Sequence, residues 1–554
     1  MPSAHESDGA LDDLVDPELP TSTYVLEPEA VAPLVARVAT SHDAGTHRPV
    51  HPFTGAPLTS IPLSSAADVA AAVRRARVAQ RAWARVPVRE RAAVLDRLGA
   101  LVLERQSEIL DLVQMESGKA RRSAFEEVGD VAQVTRHYAV RGPRYLVDRR
   151  VPGMMPLVTG VRVHRRPVGV VGVVAAWNYP LTLALADAVP ALLAGDAVVL
   201  KPDPQTTLSA LWVAEQLEDA GLPADLFTVV AGGGEVGEAL VDHVDHVAFT
   251  GSTAPPPPPA ASRSRSTATG RAVAARAGAR LVGTTLELGG KNPLYVAADA
   301  DLASAVRGAV RACFSNAGQL CLSVERLVLH EAVADAFLER FVAAVKELRL
   351  GPGLDYSADV GSLVSQAQLD RVTRHVDDAL ARGARALAGA VHRPDVGPYF
   401  YAPTVLDDVP ADALVATEET FGPVVTVTRV ASDDDAVRVM NDTQYGLNAS
   451  IWSVDVARAR RIAARVEAGT VVINDGYGSA WGSVAAPMGG VKASGLGRRH
   501  GREAIEAVTE AQTVAVQRGA RFGVALETVY AAGGETPSQV VTGALRALRR
   551  LRLP

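Results

Sequence analysis

Three residue types in this chain could do chemistry together. The first is Cys321, in "CFSNAGQLCLSVER", a small, polar, glycine-containing segment unlike an apolar helix face. A nucleophilic thiol needs access and nearby donors, and such a loop supplies both. Taken alone, a cysteine of this kind is more often a packing residue. Cys313, beside Phe314, reads as a buried structural thiol. The second is Glu287, in "LELGGKNP". A carboxylate at a strand end, followed by two glycines, can be partly desolvated and its pKa raised toward that of a general base. It reads equally well as a turn residue paired with a surface cation. The third is Asn178, in "AAWNYP", whose side-chain amide can donate to a developing oxyanion. No His-Glu-x-x-His or clustered Cys/His set suggests a metal.

These residues need elements to position them. From Ala66 to about Tyr138 the apolar spacing is helical, with Gly118 placed to end one helix. "GVRVHRRPVGVVGVV" reads as two strands. Helices at 181–193, 208–220 and 236–241 then alternate with strands at 197–200, 227–230 and 246–250. That alternation predicts an α/β fold with a parallel sheet. A second alternating region follows Leu286 and reads as a second α/β domain, while "EAQTVAVQR" is a strand separated from both. "AGGGEVG" (Ala231 to Gly237) contains G-x-G-x-x-G after a strand, but lacks the acidic companion of a Rossmann fingerprint. It reads as a glycine-rich turn for close helix packing.

Composition sets the outer limits. The 554 residues are 48% apolar and 21% charged, with a net charge of −6. This is ordinary for a globular chain of two or three domains and argues against nucleic acid as a partner. Two cysteines exclude a disulfide framework and suit a reducing, cytoplasmic setting. The N-terminus is acidic and lacks the basic start of a signal peptide. Val168 to Ala186 approaches the length of a membrane span, but Trp-Asn-Tyr-Pro interrupts it. No membrane span is expected. "GALRALRRLRLP" has leucines at helical spacing among arginines, which reads as a solvated helix end or as a contact for anionic lipid.

"AAWNYP", "FTGST", "LELGGKNP", "FSNAGQLC", "EETFGPVV" and "PMGGVKASGLGRR" occur in the order and rough spacing of the aldehyde dehydrogenase superfamily. The resemblance runs from about Val50 to Arg518. It is nearest to the actinobacterial NADP-dependent succinate-semialdehyde dehydrogenases, including "RACFSNAGQLC" and "GLGRRHG". It implies two α/β domains with parallel sheets plus a small β oligomerisation element, in a homodimer or homotetramer. Residues 1–28 would be a disordered acidic lead-in, and 29–148 with 169–286 the NAD(P)-binding domain. Residues 287–495 would be the catalytic domain, 149–168 with 496–519 the oligomerisation element, and 520–554 a C-terminal extension. By resemblance, Cys321 is the nucleophile, Glu287 the base that activates water, and Asn178 the oxyanion donor. Trp177, Asn178, Lys201, Pro204, Gly251, Ser252, Leu288, Glu419 and Phe421 would line the cofactor site, with Glu419 on the nicotinamide ribose.

Two departures from the family pattern bear on specificity. NAD-preferring relatives place a glutamate where Pro204 stands. Without it a 2′-phosphate meets no like charge and Lys201 can pair with it, so NADP is expected over NAD, with Asp203 opposing. The well-understood succinate-semialdehyde enzymes carry two arginines where this chain has Ser315 and Ala186. Tyr179, Tyr477 and Trp481 suggest an aromatic mouth for the aldehyde substrate, or plain packing.

After "FTGST" the chain inserts five prolines and a Ser/Arg run, residues 254–267, before a helix expected to restart near Ser266 or Thr267. The fold tolerates such a loop, but the insertion falls where cofactor phosphates would dock. The alternative function is therefore an impaired, aldehyde-dehydrogenase-like binding or scaffold protein. Arg263 and Arg265 are either phosphate ligands or part of a disordered linker.

Overall fold

The computed structural model describes residues 26, 28–154, 159–251, 265–518, 531 and 535–550. The acidic lead-in, Ser252, Arg263 and most of the insertion lie outside the described residues.

The helical stretch after Ala66 forms four helices: α1 (Ala66–Trp83), α2 (Val88–Glu104), α3 (Gln106–Ser117) and α4 (Arg121–Val140). Ser65 caps α1 reciprocally with Asp68, satisfying two N–H groups that the helix itself cannot. Gly118 ends α3 in the left-handed conformation, where a side chain would be strained. Two antiparallel strands follow, β1 (Arg149–Val151) and β2 (Thr159–Pro167).

Five strands then run in parallel: β3 (Val170–Val174), β4 (Ala197–Lys201), β5 (Phe227–Val229), β6 (His246–Thr250) and β7 (Gly283–Glu287). The unbroken apolar runs of β3 and β4 are buried throughout, as a sheet covered on both faces requires. Between them lie α5 (Pro180–Leu185) and α6 (Ala188–Ala194). The single helix expected at 181–193 is thus two. Pro190 has no N–H for the Ala186 carbonyl four residues back and its ring crowds that group, so the helix breaks there. Among the described residues no helix is long and apolar enough to cross a membrane. Further helices are α7 (Thr207–Asp219), α8 (Gly234–Val241) and α9 (Arg265–Ala279).

The second sheet has seven strands: β8 (Asn292–Val296), β9 (Val324–His330), β10 (Arg385–Ala388), β11 (Thr404–Asp407), β12 (Val424–Val430), β13 (Asn448–Trp452) and β14 (Thr470–Ile473). Their spatial order is β10-β11-β12-β9-β8-β13-β14, parallel except for β10 at the edge. The helix α10 (Leu302–Phe314) connects β8 to β9. The chain then returns to the first sheet as β15 (Gly495–Leu496), antiparallel to β7. It ends its folded body as β16 (Thr509–Gln517), paired along its length with β2. Beyond that, α11 (Thr536–Arg550) is helical. Fold and sheets accord with the two-domain α/β architecture that the motifs imply.

Candidate active site

A cavity of about 260 Å³ opens where β3, β6 and β7 end, between the two large sheets. Carboxyl ends of parallel strands are where α/β folds place ligands. Cys321, Glu287 and Asn178 all line it, although they lie on three separate stretches of chain.

Asn178 follows β3 in the turn that starts α5, with Pro180 at the first helical position. The turn is held from below. Glu127 on α4 accepts the N–H groups of Leu181 (2.9 Å) and Thr182 (3.1 Å). Lys119 pairs with Glu127 at 2.5 Å and donates to the Asn178 carbonyl at 2.7 Å, with both side chains fully buried. The Lys119 ammonium also lies 3.9 Å from the centre of the Tyr179 ring. The Asn178 amide donates once, to the Gln319 carbonyl at 3.1 Å. Its second N–H remains for the cavity.

Cys321 sits after a turn that α10 cannot continue. Asn316 (φ 50°), Ala317 (φ 51°) and Gly318 (φ 70°) are all left-handed. This costs Ala317 about 1 kcal/mol. A Cβ at Gly318 would lie 2.0 Å from the Gly422 carbonyl oxygen, so only glycine lets the two loops touch. Such stored strain is typical of functional loops. Asn292 donates to the Cys321 carbonyl at 2.7 Å. Burial first, then the charge of Glu287, pushes the thiol up to about 12; Arg499 acts in the opposite direction. Cys313, by contrast, is buried in the apolar core of the second sheet.

Glu287 is the last residue of β7 and is 3% exposed. Among the described residues neither carboxylate oxygen has a hydrogen-bond partner. Burial pushes it up to about 7 from the ordinary 4.5, with Arg499 pulling it down. That excludes the reading of Glu287 as a turn residue paired with a surface cation. It places the carboxylate where a base useful near neutral pH belongs.

Sequence reasoning missed Arg499. It is buried, lines the cavity, and donates to Asp187 (2.5 Å) and to Thr250 (2.8 Å). It lies in "GLGRRHG", but its partner is 312 residues away in the chain. Nor was the buried Lys291–Glu325 pair foreseen. Glu325 accepts the N–H groups of Thr420 and Phe421, 3.0 and 2.8 Å away, and so fixes the loop that carries Glu419.

Of the cofactor candidates, Trp177, Asn178, Gly251, Leu288, Glu419 and Phe421 share the cavity lining. Trp177 and Phe421 meet edge to face at 5.5 Å. Glu419 accepts the Gly290 N–H at 2.7 Å and is pushed up to about 7 by burial. Lys201 and Pro204 stand outside this lining. Lys201, at the end of β4, is buried and donates to the Pro202 carbonyl at 3.1 Å. Pro204 opens a short 3₁₀ turn that Asp203 caps through the Gln205 N–H. Tyr179 and Trp481 pack edge to face at 5.4 Å in the lining. Tyr477 stands behind them, its hydroxyl 3.2 Å from Glu126. Ala186 lines the cavity, whose two arginines are both engaged: Arg499 with Asp187, and Arg371 with the Glu419 carbonyl.

Residues 39–514 match the model of the aldehyde dehydrogenase family. The chain belongs to that family. A Mycolicibacterium smegmatis protein, provisionally named succinate-semialdehyde dehydrogenase [NADP(+)], is 47% identical over 511 residues, covering 92% of this chain and 95% of the relative. A Mycobacterium tuberculosis protein with the same provisional name, numbered 2, is 50% identical over 467 residues, 84% of this chain and 88% of that one. Among solved structures, succinate-semialdehyde dehydrogenase from Burkholderia pseudomallei superposes with a TM-score of 0.80 at 34% identity, covering 86% of this chain and 96% of that one. The chain is thus an aldehyde-oxidising enzyme of this family, and the scaffold alternative is not favoured.

Proposed function

We propose that this enzyme oxidises succinate semialdehyde to the dicarboxylic acid with NADP, using Cys321, Glu287 and Asn178. The observation that carries the assignment is the convergence of these three side chains on one cavity. Cys321 passes its proton to Glu287, which releases it to solvent, and attacks the aldehyde carbon as the thiolate. The new C–S bond gives a thiohemiacetal whose oxyanion accepts from the free Asn178 N–H and the Cys321 backbone N–H. Trp177, Glu419 and Phe421 would hold a nicotinamide, which would supply the hydride acceptor; loss of hydride from the thiohemiacetal leaves a thioester on Cys321. Glu287 takes a proton from water. The resulting hydroxide adds to the thioester carbon, and the carboxylic acid leaves as the thiolate is restored.

The side chains present suit the dinucleotide. Glu419 keeps one carboxylate oxygen on Gly290, leaving the other for a ribose hydroxyl, with Trp177 and Phe421 framing that end. Lys201 is buried, and its amine donates to a single backbone acceptor among the described residues. A cation so under-served suits a phosphate, and Pro204 supplies no carboxylate to repel it. The capping role of Asp203 engages the one acid beside it.

Succinate semialdehyde is favoured by the names of the relatives. The residues Ala186 and Ser315 favour a second reading, an aldehyde without a distal carboxylate, because neither position offers a cation. Turnover with a panel of aldehydes, each with NAD and NADP, separates these. A kcat/KM for succinate semialdehyde no better than for an uncharged aldehyde of equal length would reject the first reading. We also assign homodimer or homotetramer assembly to the small sheet. Its edge strand β16 leaves Val514 and Val516 41% and 50% exposed, and open strand edges pair readily. Light scattering on the purified chain tests this.

A further inference from the structure

The helix α11 (Thr536–Arg550) takes no part in the fold described above. Its sequence, TPSQVVTGALRALRR, is sharply two-sided. At 3.6 residues per turn, Val540, Val541, Ala544, Leu545 and Leu548 fall within an arc of about 140°. Arg546, Arg549 and Arg550 fall together on the opposite side. The apolar side is covered only in part: Val540 is 64% exposed and Leu545 is 60% exposed, while Val541 and Leu548 are half-buried. From Thr536 to Pro554 the sequence holds four arginines and no acidic residue, in a chain whose net charge is −6.

We propose that α11 is a docking element for anionic lipid, lying flat in the headgroup region of a bilayer with its Val/Leu side down. The physical signature is that of an interfacial helix: aliphatic residues on one face, arginines on the other, and modest overall hydrophobicity. A helix of this length covers roughly 20 Å of surface and is too short to span a bilayer. The arginines select the partner's sign. Pairing α11 with its own copy through the Val/Leu side would leave the arginines outside the contact, whereas the headgroup region of an anionic bilayer engages both sides of the helix at once. A single helix of this kind, without a lipid anchor, binds reversibly. The enzyme would then exchange between a dissolved and a membrane-apposed population, with its catalytic cavity unaltered.

The test is co-sedimentation of the full chain with phosphatidylcholine vesicles, with and without phosphatidylglycerol. Binding is expected only to the anionic vesicles, and added salt should weaken it. Replacing Arg546→Gln and Arg549→Gln together should reduce partitioning by about thirtyfold, roughly fivefold for each charge. Leu545→Glu with Leu548→Glu should abolish it. Aldehyde oxidation in solution should be unchanged in both doubles, which also shows that they fold. Wild type that stays in the supernatant with anionic vesicles overturns the proposal, as does equal sedimentation of the variants. A vesicle-free change in mass, lost in the leucine double, would assign the face to a second copy instead.

Discussion

Glu287 carries a cost that can be measured without any substrate. Its carboxylate is 3% exposed, has no hydrogen-bond partner among the described residues, and is raised from 4.5 to about 7 by burial. A group whose folded pKa lies above its unfolded value binds its proton more tightly when folded. Folding is therefore unpenalised below about pH 4.5 and becomes progressively less favourable as pH rises toward 7. The interval corresponds to roughly 3 kcal/mol, reached in full above pH 7. Glu287→Gln removes the charge at nearly constant volume. The stability difference between variant and wild type should therefore move in the variant's favour by about 3 kcal/mol between pH 4.5 and pH 8, at about 1.4 kcal/mol per pH unit in between. Urea denaturation of both proteins across that range reads the difference directly, and any fixed offset from the new amide cancels in the pH dependence. A difference that is flat with pH, or that moves in the wild type's favour as pH rises, would refute the burial argument. The same substitution should permit the first hydride transfer but not deacylation. That means a burst of NADPH without turnover and a covalent adduct by intact mass.

Four further outcomes follow. Cys321→Ala should abolish oxidation, whereas Cys313→Ala, in the core of the second sheet, should keep most activity at a cost in stability of about 1 kcal/mol; steady-state rates and melting curves check both. Lys119→Met leaves the buried Glu127 carboxyl without its cation, so it should destabilise by about 3–5 kcal/mol and lower kcat by loosening the Asn178 turn; Lys119→Met with Glu127→Gln should recover much of the stability in a urea titration. Pro204→Glu should shift kcat/KM from NADP toward NAD, and a wild type that clearly prefers NAD would sink that reasoning. Deleting residues 254–267 should tighten NADP binding in calorimetry, because α9 begins at Arg265 rather than beside Gly270, whose Cβ position abuts Leu288 of the cavity wall; weaker binding would mean that Arg263 and Arg265 serve the phosphates.

Local order was legible because its causes are local. The apolar runs at 170–174 and 197–200, bounded by turn residues, read as buried strands of a parallel sheet, and Gly118 can end α3 because it is glycine. Pro190 also marks a helix break locally, since it lacks the N–H that would continue the turn. Motifs named Cys321, Glu287 and Asn178, since their residue types are the chemistry. Their environment was not legible. Whether Glu287 is an orphaned buried carboxylate or a surface turn residue depends on what packs around it, and the returning chain brings Gly489 and Arg499 beside the carboxylate as it pairs β15 with β7. The partners Asp187 and Arg499, or Lys291 and Glu325, carry no mark in sequence, because opposite charges far apart in the chain become a pair only when the fold closes. Tertiary structure therefore decided the electrostatics of the site: a side chain's pKa is set by its neighbours in space and its distance from water, and neither is a property of the chain in one dimension.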